Sequence, residues 1–344
     1  MGTEISLDIG GMSISWAKND RGTDHGCLFQ PSDRKRFPSQ LIDYEEGRPD
    51  ESDLAEMEIG FTRPLGAVLP RLELLGYTVA AAQDEYAAMA EAGREMDSGA
   101  PRDLMPFEEF LAFLKMAAID DLDAAFVSDL DETTIRGRFK DENQKARIPW
   151  YSQYNDDAYS ERSYFGSLVR FLHPYTLLRL LAENPPNLAL NVDWQYGPLV
   201  SNGWAEEGEF EPNARRTQTY LIATEGSSDT HILNRAFQLL RPAIADFFRF
   251  IDVRDGHPFS GTGSLVKFAE GLAKIDVQNR TIFLLDNDAE GVSAFRKIDK
   301  MILPLNMRAL TLPTLDAFEN FPTIGPEGEQ TADINGRAAA IECY

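Results

Sequence analysis

Carboxylate residues follow an apolar run in the sequence TIFLLDNDAEG at residues 281–291. The four apolar residues at 282–285 lead directly into Asp286, Asp288 and Glu290, which stand at alternating positions. Like charges at this spacing repel each other unless a cation neutralises them, and carboxylate oxygens are the ligands that Mg²⁺ prefers. The stretch therefore predicts a buried strand whose end binds a divalent cation.

The alternative is a solvated turn in which Asp288 or Asn287 caps the helix that follows. A second carboxylate favours the cation, because Glu225 and Gly226 end another apolar run, TYLIATEG. Glu225 and Asp229 could hold a second ion, or Glu225 could serve as the acid or base. Two ions about 4 Å apart would activate water and stabilise the leaving oxygen of a phosphodiester.

The C-terminal region must position these carboxylates, and its pattern alternates strand and helix. The strand patterns, in chain order, are TYLIATEG, DFFRFIDV, TIFLLDND and MRALTLPTL, and helical patterns separate them. This order predicts a parallel sheet with crossover helices, whose ligand site lies at the carboxyl ends of the strands. The first and third strand patterns therefore bring their carboxylates to one edge of the sheet.

The stretches LIATEGSSDTHIL and FLLDNDAEG resemble the Toprim domain, in which one strand ends in Glu-Gly and another in Asp-x-Asp. The spacing of Glu225 and Asp229 resembles that of OLD-like nucleases rather than topoisomerases. The resemblance implies a nuclease that uses Mg²⁺ or Mn²⁺, with a further ligand downstream, either Asp333 or Glu342. The catalytic residues are then Glu225, Asp286 and Asp288. The predicted metal ligands are Glu225, Asp229, Asp286, Asp288 and Glu290.

The stretches ISLDIGGMSISWAKND and HPYTLLRLLAENP resemble the N-terminal region of bacterial proteins described as HEPN/Toprim-associated. HEPN ribonucleases need an Arg and a His separated by four to six residues, and the four His residues of this chain offer no such pair. The resemblance therefore implies an N-terminal domain for regulation or assembly, without a HEPN active site, ahead of a Toprim-like domain.

A glycine-containing loop, PFSGTGSL, precedes a helical pattern in the same region. Its backbone N–H groups could bind a substrate phosphate, with Lys297 as a nearby cation. The alternative is a flexible turn in which Ser264 caps the helix. The predicted phosphate-binding residues are Ser260, Gly261, Thr262, Gly263 and Lys297.

The net charge of −23 is distributed unevenly. Residues 1–214 contain 19 Lys and Arg against 39 Asp and Glu, a net of −20, whereas residues 215–344 contain 14 against 17, a net of −3. A strongly anionic surface repels a phosphate backbone, so the N-terminal part is not a nucleic-acid groove but a docking, shielding or solubilising surface. The few cations predict weak nucleic-acid binding by the isolated chain, with affinity supplied by a homo-oligomer or by a partner protein such as an ATPase or sensor.

The sequence divides into three predicted parts, an N-terminal α+β region at 1–100 that starts with a β-hairpin, a mainly helical region at 101–214, and the Toprim-like domain at 215–344. The predicted fold class is α/β.

No apolar run is long enough for a transmembrane helix, the first residues lack a secretory pattern, and two cysteines give no disulfide framework. These features predict a cytoplasmic protein without a membrane partner.

The function predicted from these patterns is a Mg²⁺-dependent nuclease that hydrolyses DNA or RNA, as a bacterial anti-phage effector. Two alternatives remain open from the sequence. One is a Toprim module that binds nucleic acid or regulates an assembly without cutting. The other is a primase- or topoisomerase-like enzyme, although no domain with a nucleophilic tyrosine is visible.

Overall fold

A computed structural model of the chain describes residues 3–38, 57–96, 103–128, 131–151, 158–251, 261–275, 277–326 and 328–344. The chain divides into two compact units, Met1–Asn213 and Ala214–Tyr344. The first unit contains both of the predicted parts that precede residue 215. The α/β fold class is confirmed, since an antiparallel sheet with helices is followed by a parallel sheet flanked by helices.

A five-stranded antiparallel sheet with the order β2-β1-β5-β4-β3 lies at the centre of the first unit. Its strands are β1 (Glu4–Ile9), β2 (Met12–Lys18), β3 (Arg34–Pro38), β4 (Met57–Pro64) and β5 (Asn191–Gln195). β1 and β2 confirm the predicted hairpin. Its turn consists of Gly10 and Gly11, whose φ angles of 54° and 73° lie in the left-handed region that glycine adopts without strain.

Strand β5 lies between β1 and β4, although its sequence, NVDWQ, predicts only a short strand within a connection. Trp194 of β5 is buried and stacks on Phe61 of β4, with ring centroids 6.0 Å apart. Long-range pairing therefore makes this segment the middle strand of the sheet. For the same reason the predicted parts 1–100 and 101–214 share one sheet and one core.

Eight helices of the first unit lie within its described residues. They are α1 (Leu65–Leu75), α2 (Val79–Met96), α3 (Phe107–Leu114), α4 (Glu132–Arg136), α5 (Glu142–Lys145), α6 (Glu161–Val169), α7 (Pro174–Leu181) and α8 (Gly197–Ser201). Gly76, with φ of 99°, separates α1 from α2, as the sequence predicts. A lone His before Pro174 is predicted to be a cap or core residue, and the structure makes His173 the N-cap of α7, since its Nδ1 accepts a hydrogen bond of 3.1 Å from the N–H of Tyr175.

The amphipathic pattern predicts that α3 continues to Ala118, and this is wrong. The helix ends at Leu114, and Ala118 is extended. The buried side chain of Asn187 accepts a hydrogen bond of 3.0 Å from the N–H of Ile119, which turns the chain into the core. A long-range contact therefore ends helix α3 before its apolar pattern ends.

No single helix within the described residues is long and apolar enough to cross a membrane. Only α1 and α2 taken together reach that length and composition, and the two are bent by 74°.

The second unit contains a four-stranded parallel sheet with the order β10-β8-β6-β7. The elements in chain order are β6 (Tyr220–Ala223), α9 (Ser227–Leu240), β7 (Phe248–Phe250), α10 (Thr262–Ala273), β8 (Arg280–Leu285), β9 (Asn287–Asp288), α11 (Ala289–Asp299) and β10 (Met307–Thr311). The predicted alternation of strand and helix is therefore confirmed, and apolar side chains of β8, α10 and α11 form the core.

The stretch ADINGRAAAIE predicts a helix at residues 332–342, and the structure differs. A hairpin of β11 (Phe321–Gly325) and β12 (Gly328–Ala332) is followed by β13 (Ala338–Ala339) and a single 3₁₀ turn, Ile341–Cys343. β13 pairs with β9, and Ala339 is fully buried there. This tertiary pairing overrides the helix propensity of the alanine run.

Candidate functional site

Two neighbouring strands of the parallel sheet deliver carboxylates to its carboxyl edge. β6 and β8 pair with Ala223 opposite Phe283, so the chain leaves both strands side by side. Glu225 follows the end of β6 by two residues, and Asp286 follows β8 directly. The Oε1 atom of Glu225 accepts a hydrogen bond of 3.2 Å from the backbone N–H of Asp286. The structure therefore brings these two predicted residues together.

Three carboxylates are each held by a backbone N–H through one of their two oxygens. Glu225 is held by Asp286, as described above, and the Oδ1 atom of Asp286 accepts from the N–H of Ile341 at 3.1 Å. The Oδ1 atom of Asp288 accepts from the N–H of Gly291 at 2.7 Å, which makes Asp288 the N-cap of α11. The second oxygen of each carboxylate accepts no hydrogen bond from the part of the chain that the structure describes. Capping a helix and binding a cation are therefore compatible for Asp288.

Burial and repulsion from neighbouring carboxylates raise the pKa values of Glu225 and Asp286. Burial raises the pKa of Glu225 to about 7, and repulsion from Asp286 and Asp288 adds to the shift. Burial also raises the pKa of Asp286 to about 6, with repulsion from Asp229 and Asp288 as the next causes. An acid with a pKa near 7 can both accept and donate a proton at neutral pH, and Glu225 has this property.

Asp229 contributes charge to the site, while its oxygens are already used. Its Oδ2 atom accepts a hydrogen bond of 2.9 Å from the N–H of Gly226 at the start of α9. Its Oδ1 atom accepts one of 3.2 Å from the Ser228 hydroxyl. Asp229 can act as a metal ligand only by exchanging one of these bonds.

Glu290 lies in the first turn of α11 and contacts the start of α10. One of its carboxylate oxygens accepts a hydrogen bond from the hydroxyl of Thr262, whose side chain is buried. Thr262 opens α10, and Gly261 before it has a φ of 117°. Gly263 is exposed in the first turn of that helix, and Ser260 lies outside the described residues. The described part of the predicted phosphate-binding loop is therefore adjacent to Glu290, a predicted metal ligand.

Two other expectations for this region differ from the structure. Ser264 is not the N-cap of α10, because the helix already begins at Thr262 and Gly261 occupies the cap position. Lys297 lies in the last turn of α11, whereas the carboxylates lie before its first turn. Eight residues separate Lys297 from Ala289, which corresponds to about 12 Å along the helix axis. The structure therefore does not bring Lys297 to the carboxylates.

Gly291 allows α11 to approach the backbone of Asp286. A Cβ atom at position 291 would lie 2.3 Å from the carbonyl oxygen of Asp286, closer than real Cβ atoms come to backbone. Position 291 therefore has room only for glycine. A side chain there would displace the backbone of Asp286, whose N–H donates to Glu225.

The C-terminal segment, residues 334–343, packs directly against the end of β8, which the sequence does not predict. Ala338 pairs with Asp288 across β13 and β9. The N–H of Gly336 donates to both the carbonyl oxygen (2.9 Å) and the Oδ1 atom (3.0 Å) of Asn287, which is buried. Asn287 is therefore a structural residue that anchors the segment, and it lies between the two aspartates of DND.

The backbone of Arg337 lies beside Asp288. Its carbonyl oxygen accepts a hydrogen bond of 3.2 Å from the N–H of Ala289, and its backbone forms a β-bridge with Asp288. The side chain is exposed and forms no ion pair with any described residue. Neither a motif nor a spacing signals this residue, because the segment that carries it reaches the site only through tertiary pairing.

The structure distinguishes the two candidates for a downstream ligand. Glu342 lies close enough to Asp286 for its charge to raise the pKa of that carboxyl. Asp333 instead accepts two hydrogen bonds of 3.0 Å, from the backbone N–H and the side-chain amide of Asn335. Glu342 is therefore the better placed of the two.

The chemistry of these side chains fits a hard divalent cation, because carboxylate oxygens with raised pKa values are ligands that Mg²⁺ and Mn²⁺ bind in place of protons. Within the described residues, however, no three Asp, Glu, His or Cys side chains already surround one point as a preformed metal site. Among the described residues, Glu225, Asp286 and Asp288 each keep one carboxylate oxygen that accepts no hydrogen bond.

A comparison with protein-family models matches residues 1–218 to the HEPN/Toprim N-terminal domain 1. The chain belongs to this family. The match covers the first unit and confirms the predicted resemblance of the N-terminal region. Neither the curated proteins nor the solved structures give a match to the chain.

Membership of the HEPN/Toprim N-terminal domain 1 family links the protein to nucleic-acid-related function. The carboxylate site described above lies beyond residue 218, outside the matched region. A function for the C-terminal unit must therefore be inferred from the geometry of that unit.

Proposed function

We propose that this chain is a metal-dependent nuclease that hydrolyses phosphodiester bonds of DNA or RNA, with an OLD-like Toprim site in its C-terminal unit. The observation that carries the proposal is the arrangement of Glu225, Asp286 and Asp288, each with one oxygen fixed by a backbone N–H and the other without a hydrogen bond from any described residue. Such a set is stabilised by a hard divalent cation, so Mg²⁺ or Mn²⁺ is the proposed cofactor.

In the proposed site, Asp286 and Asp288 hold the cation through their unpaired oxygens, and Asp229 adds to the negative potential. Glu225 exchanges a proton with the attacking or leaving oxygen, because its pKa of about 7 suits both directions at neutral pH. When bound, the cation supplies an acidic water and neutralises charge that develops on the phosphate. The N–H groups at the start of α10, around Thr262, bind the non-bridging phosphate oxygens.

The family supports a nucleic-acid-related role, and we propose that the protein is a bacterial anti-phage effector in the cytoplasm. The net charge of −20 on residues 1–214 keeps the substrate at the second unit. Among the described residues, the backbone of Arg337 pairs with that of Asp288, and the predicted cation Lys297 lies at the far end of α11. Substrate affinity therefore comes from a homo-oligomer or from a partner protein, such as an ATPase or a sensor.

A second candidate is a Toprim module that binds nucleic acid or regulates an assembly without cutting it. The observation that favours this candidate is the absence, within the described residues, of three carboxylates already arranged around one point. No contact among the described residues specifically favours a primase- or topoisomerase-like activity.

One experiment separates the two candidates. The full chain is incubated with plasmid, single-stranded DNA and tRNA in Mg²⁺, in Mn²⁺ and in chelator. Cleavage that requires metal and is lost in the Asp286→Asn, Asp288→Asn double variant supports the nuclease. The matched control is Asp299→Asn, which removes an exposed carboxylate at the opposite end of α11. Binding that persists in chelator without any cleavage supports the module instead.

A further inference from the structure

Acidic and hydroxyl side chains form a row across the antiparallel sheet of the first unit. Asp8 of β1 lies between Ser13 of β2 and Asp193 of β5, and Asp193 in turn lies opposite Thr62 of β4. Residues that lie directly opposite each other in paired antiparallel strands point to the same face of the sheet. We call Ser13, Asp8, Asp193 and Thr62 the polar row.

The polar row points away from the apolar core of the unit. Leu7, Phe61 and Trp194 alternate with the row along β1, β4 and β5, and all three are buried in that core. Because successive side chains of a strand point to opposite faces, the polar row lies on the other face of the sheet. The core therefore does not explain why two carboxylates lie side by side there.

Asp8 is buried, yet only one of its carboxylate oxygens is used. The side chain of Ser6 and the amide of Gln195 donate to its Oδ2 atom at 2.8 Å and 2.9 Å. The residue is only 7% exposed, and its Oδ1 atom is buried without a hydrogen bond from any described residue. A buried polar atom without a partner is costly in a folded protein. The Oδ1 atom therefore indicates a place for a ligand.

The neighbours of Asp8 leave the same charge uncompensated. Burial, together with repulsion from Asp193, raises the pKa of Asp8 to about 7, and burial also raises the pKa of Asp193. The Thr62 hydroxyl lies within electrostatic reach of Asp193, but its buried Oγ1 atom makes no hydrogen bond of ordinary geometry. Lys35 of β3 lowers the pKa of Asp193 by its charge, although its side chain is exposed and forms no ion pair with a described residue.

We infer that Asp8, Asp193 and Thr62 bind a hard divalent cation, Ca²⁺ or Mg²⁺, on the outer face of this sheet. All the available donors are oxygens, which these two ions prefer, whereas softer metals favour nitrogen or sulfur. Asp193 is half-buried, so the ion enters on its side and keeps waters as its other ligands. The bound cation holds β1 against β5. This site lies in the first unit and does not depend on nuclease activity.

Tryptophan fluorescence reports on the first unit alone, because all four tryptophans of the chain lie in it: Trp16, Trp150, Trp194 and Trp204. Urea unfolding of the full chain is followed by this signal at pH 8, where Asp8 is ionised, in chelator and with added Ca²⁺ or Mg²⁺. The background is Asp286→Asn, Asp288→Asn, which removes two ligands of the proposed nuclease site. For a Kd of about 0.5 mM, about 5 mM cation should lower the unfolding constant about tenfold.

Two single substitutions in this background test the ligands. Asp193→Asn should weaken cation binding at least about tenfold and leave the fold intact, because the side chain is half-buried and keeps its size. Asp8→Asn should gain stability in chelator, where it removes a repelling charge, and should lose most of the response to the cation. Asp84→Asn is the matched control, since it removes an exposed carboxylate of α2, and it should respond like the background.

Circular dichroism checks that every variant is folded, and KCl at equal ionic strength controls for screening. A urea midpoint that neither cation shifts in the background overturns the inference and identifies Asp8 and Asp193 as a pair that shares a proton. An equal shift in Asp193→Asn, or in KCl, also overturns it, because the cation then acts without this site. Failure of the nuclease proposal leaves these outcomes unchanged, since the background already lacks Asp286 and Asp288.

Discussion

Glu225 accepts a hydrogen bond from the backbone N–H of Asp286, and this contact joins the ends of two strands through residues that are 61 positions apart in the sequence. It fixes one oxygen of Glu225 while burial and neighbouring carboxylates raise its pKa to about 7. The site therefore holds carboxylates at fixed positions where their charges repel one another. Binding of a cation relieves this repulsion.

Asp286→Asn should abolish metal-dependent cleavage without destabilising the metal-free protein. Asparagine removes one repelling charge but keeps an oxygen that accepts from the N–H of Ile341. Asp286→Ala loses that hydrogen bond as well, at a cost of about 1 kcal/mol. Urea unfolding in chelator measures both effects. Wild-type cleavage rates in Asp286→Asn would remove this carboxylate from the site.

The metal-free protein should lose stability as pH rises from about 4 to 7. The folded-state pKa values of Glu225 and Asp286, about 7 and about 6, exceed the ordinary values of 4.5 and 3.8. In this window the folded state binds more protons than the unfolded state, so deprotonation favours unfolding. Glu225→Gln should flatten the decline, measured by urea unfolding in chelator at a series of pH values. A decline identical to that of the wild type would show that Glu225 is not the group responsible.

The same Glu225→Gln variant should lose cleavage more than it loses metal binding, because glutamine keeps an acceptor oxygen but cannot exchange a proton at neutral pH. Turnover at saturating metal and metal affinity are measured separately. Wild-type turnover under these conditions would exclude Glu225 as the acid or base.

Gly291→Ala should displace Asp286 and impair both metal binding and stability. The added methyl group would lie 2.3 Å from a backbone oxygen, which cannot move without shifting the strand end. Gly271→Ala is the matched control, since nothing lies within 4 Å of a Cβ at that position of α10. The control should gain up to about 1 kcal/mol, because alanine is the better helix former. Equal behaviour of the two variants would contradict the close approach at Gly291.

Arg337→Ala should weaken binding of a short single strand, and Lys297→Ala should not. Arg337 lies beside Asp288, whereas Lys297 is two turns along α11. Each phosphate contact contributes to the salt dependence of binding, so Arg337→Ala should also lower that slope by about one. Binding is measured by salt titration in the Asp286→Asn background. Sub-micromolar affinity of a demonstrated monomer in physiological salt would contradict the weak binding expected from the few cations.

Asp8→Asn should stabilise the first unit more at pH 8 than at pH 5, because the folded and unfolded pKa values of Asp8 bracket the range from about 4 to 7. Burial, with repulsion from Asp193 on the neighbouring strand, raises the pKa of Asp8 to about 7. The wild type therefore loses stability as pH rises towards 7, while asparagine stays neutral. Ser6 and Gln195 both donate to Oδ2 of Asp8, and an amide oxygen can still accept from them. Thermal unfolding at the two pH values provides the test, and a melting temperature unchanged by the substitution at pH 8 would contradict it.

The sequence by itself determines the parts of this protein that depend on short-range pattern. Alternating apolar runs and helical patterns predict the parallel sheet of the second unit, and Glu225 and Asp286, which follow two of its strands, mark the edge of the candidate site. Gly10 and Gly11 likewise specify a hairpin turn locally. These features can be predicted because the residues that produce them are neighbours in the chain.

Tertiary structure decides the rest. β5 becomes the middle strand of its sheet, and residues 334–343 pair with β9 and carry Arg337 and Glu342 to the carboxylates. It also places Lys297 at the far end of α11, away from the carboxylates. Pairing between segments far apart in the chain leaves no local pattern, because its free energy comes from surfaces that meet only after the chain has folded.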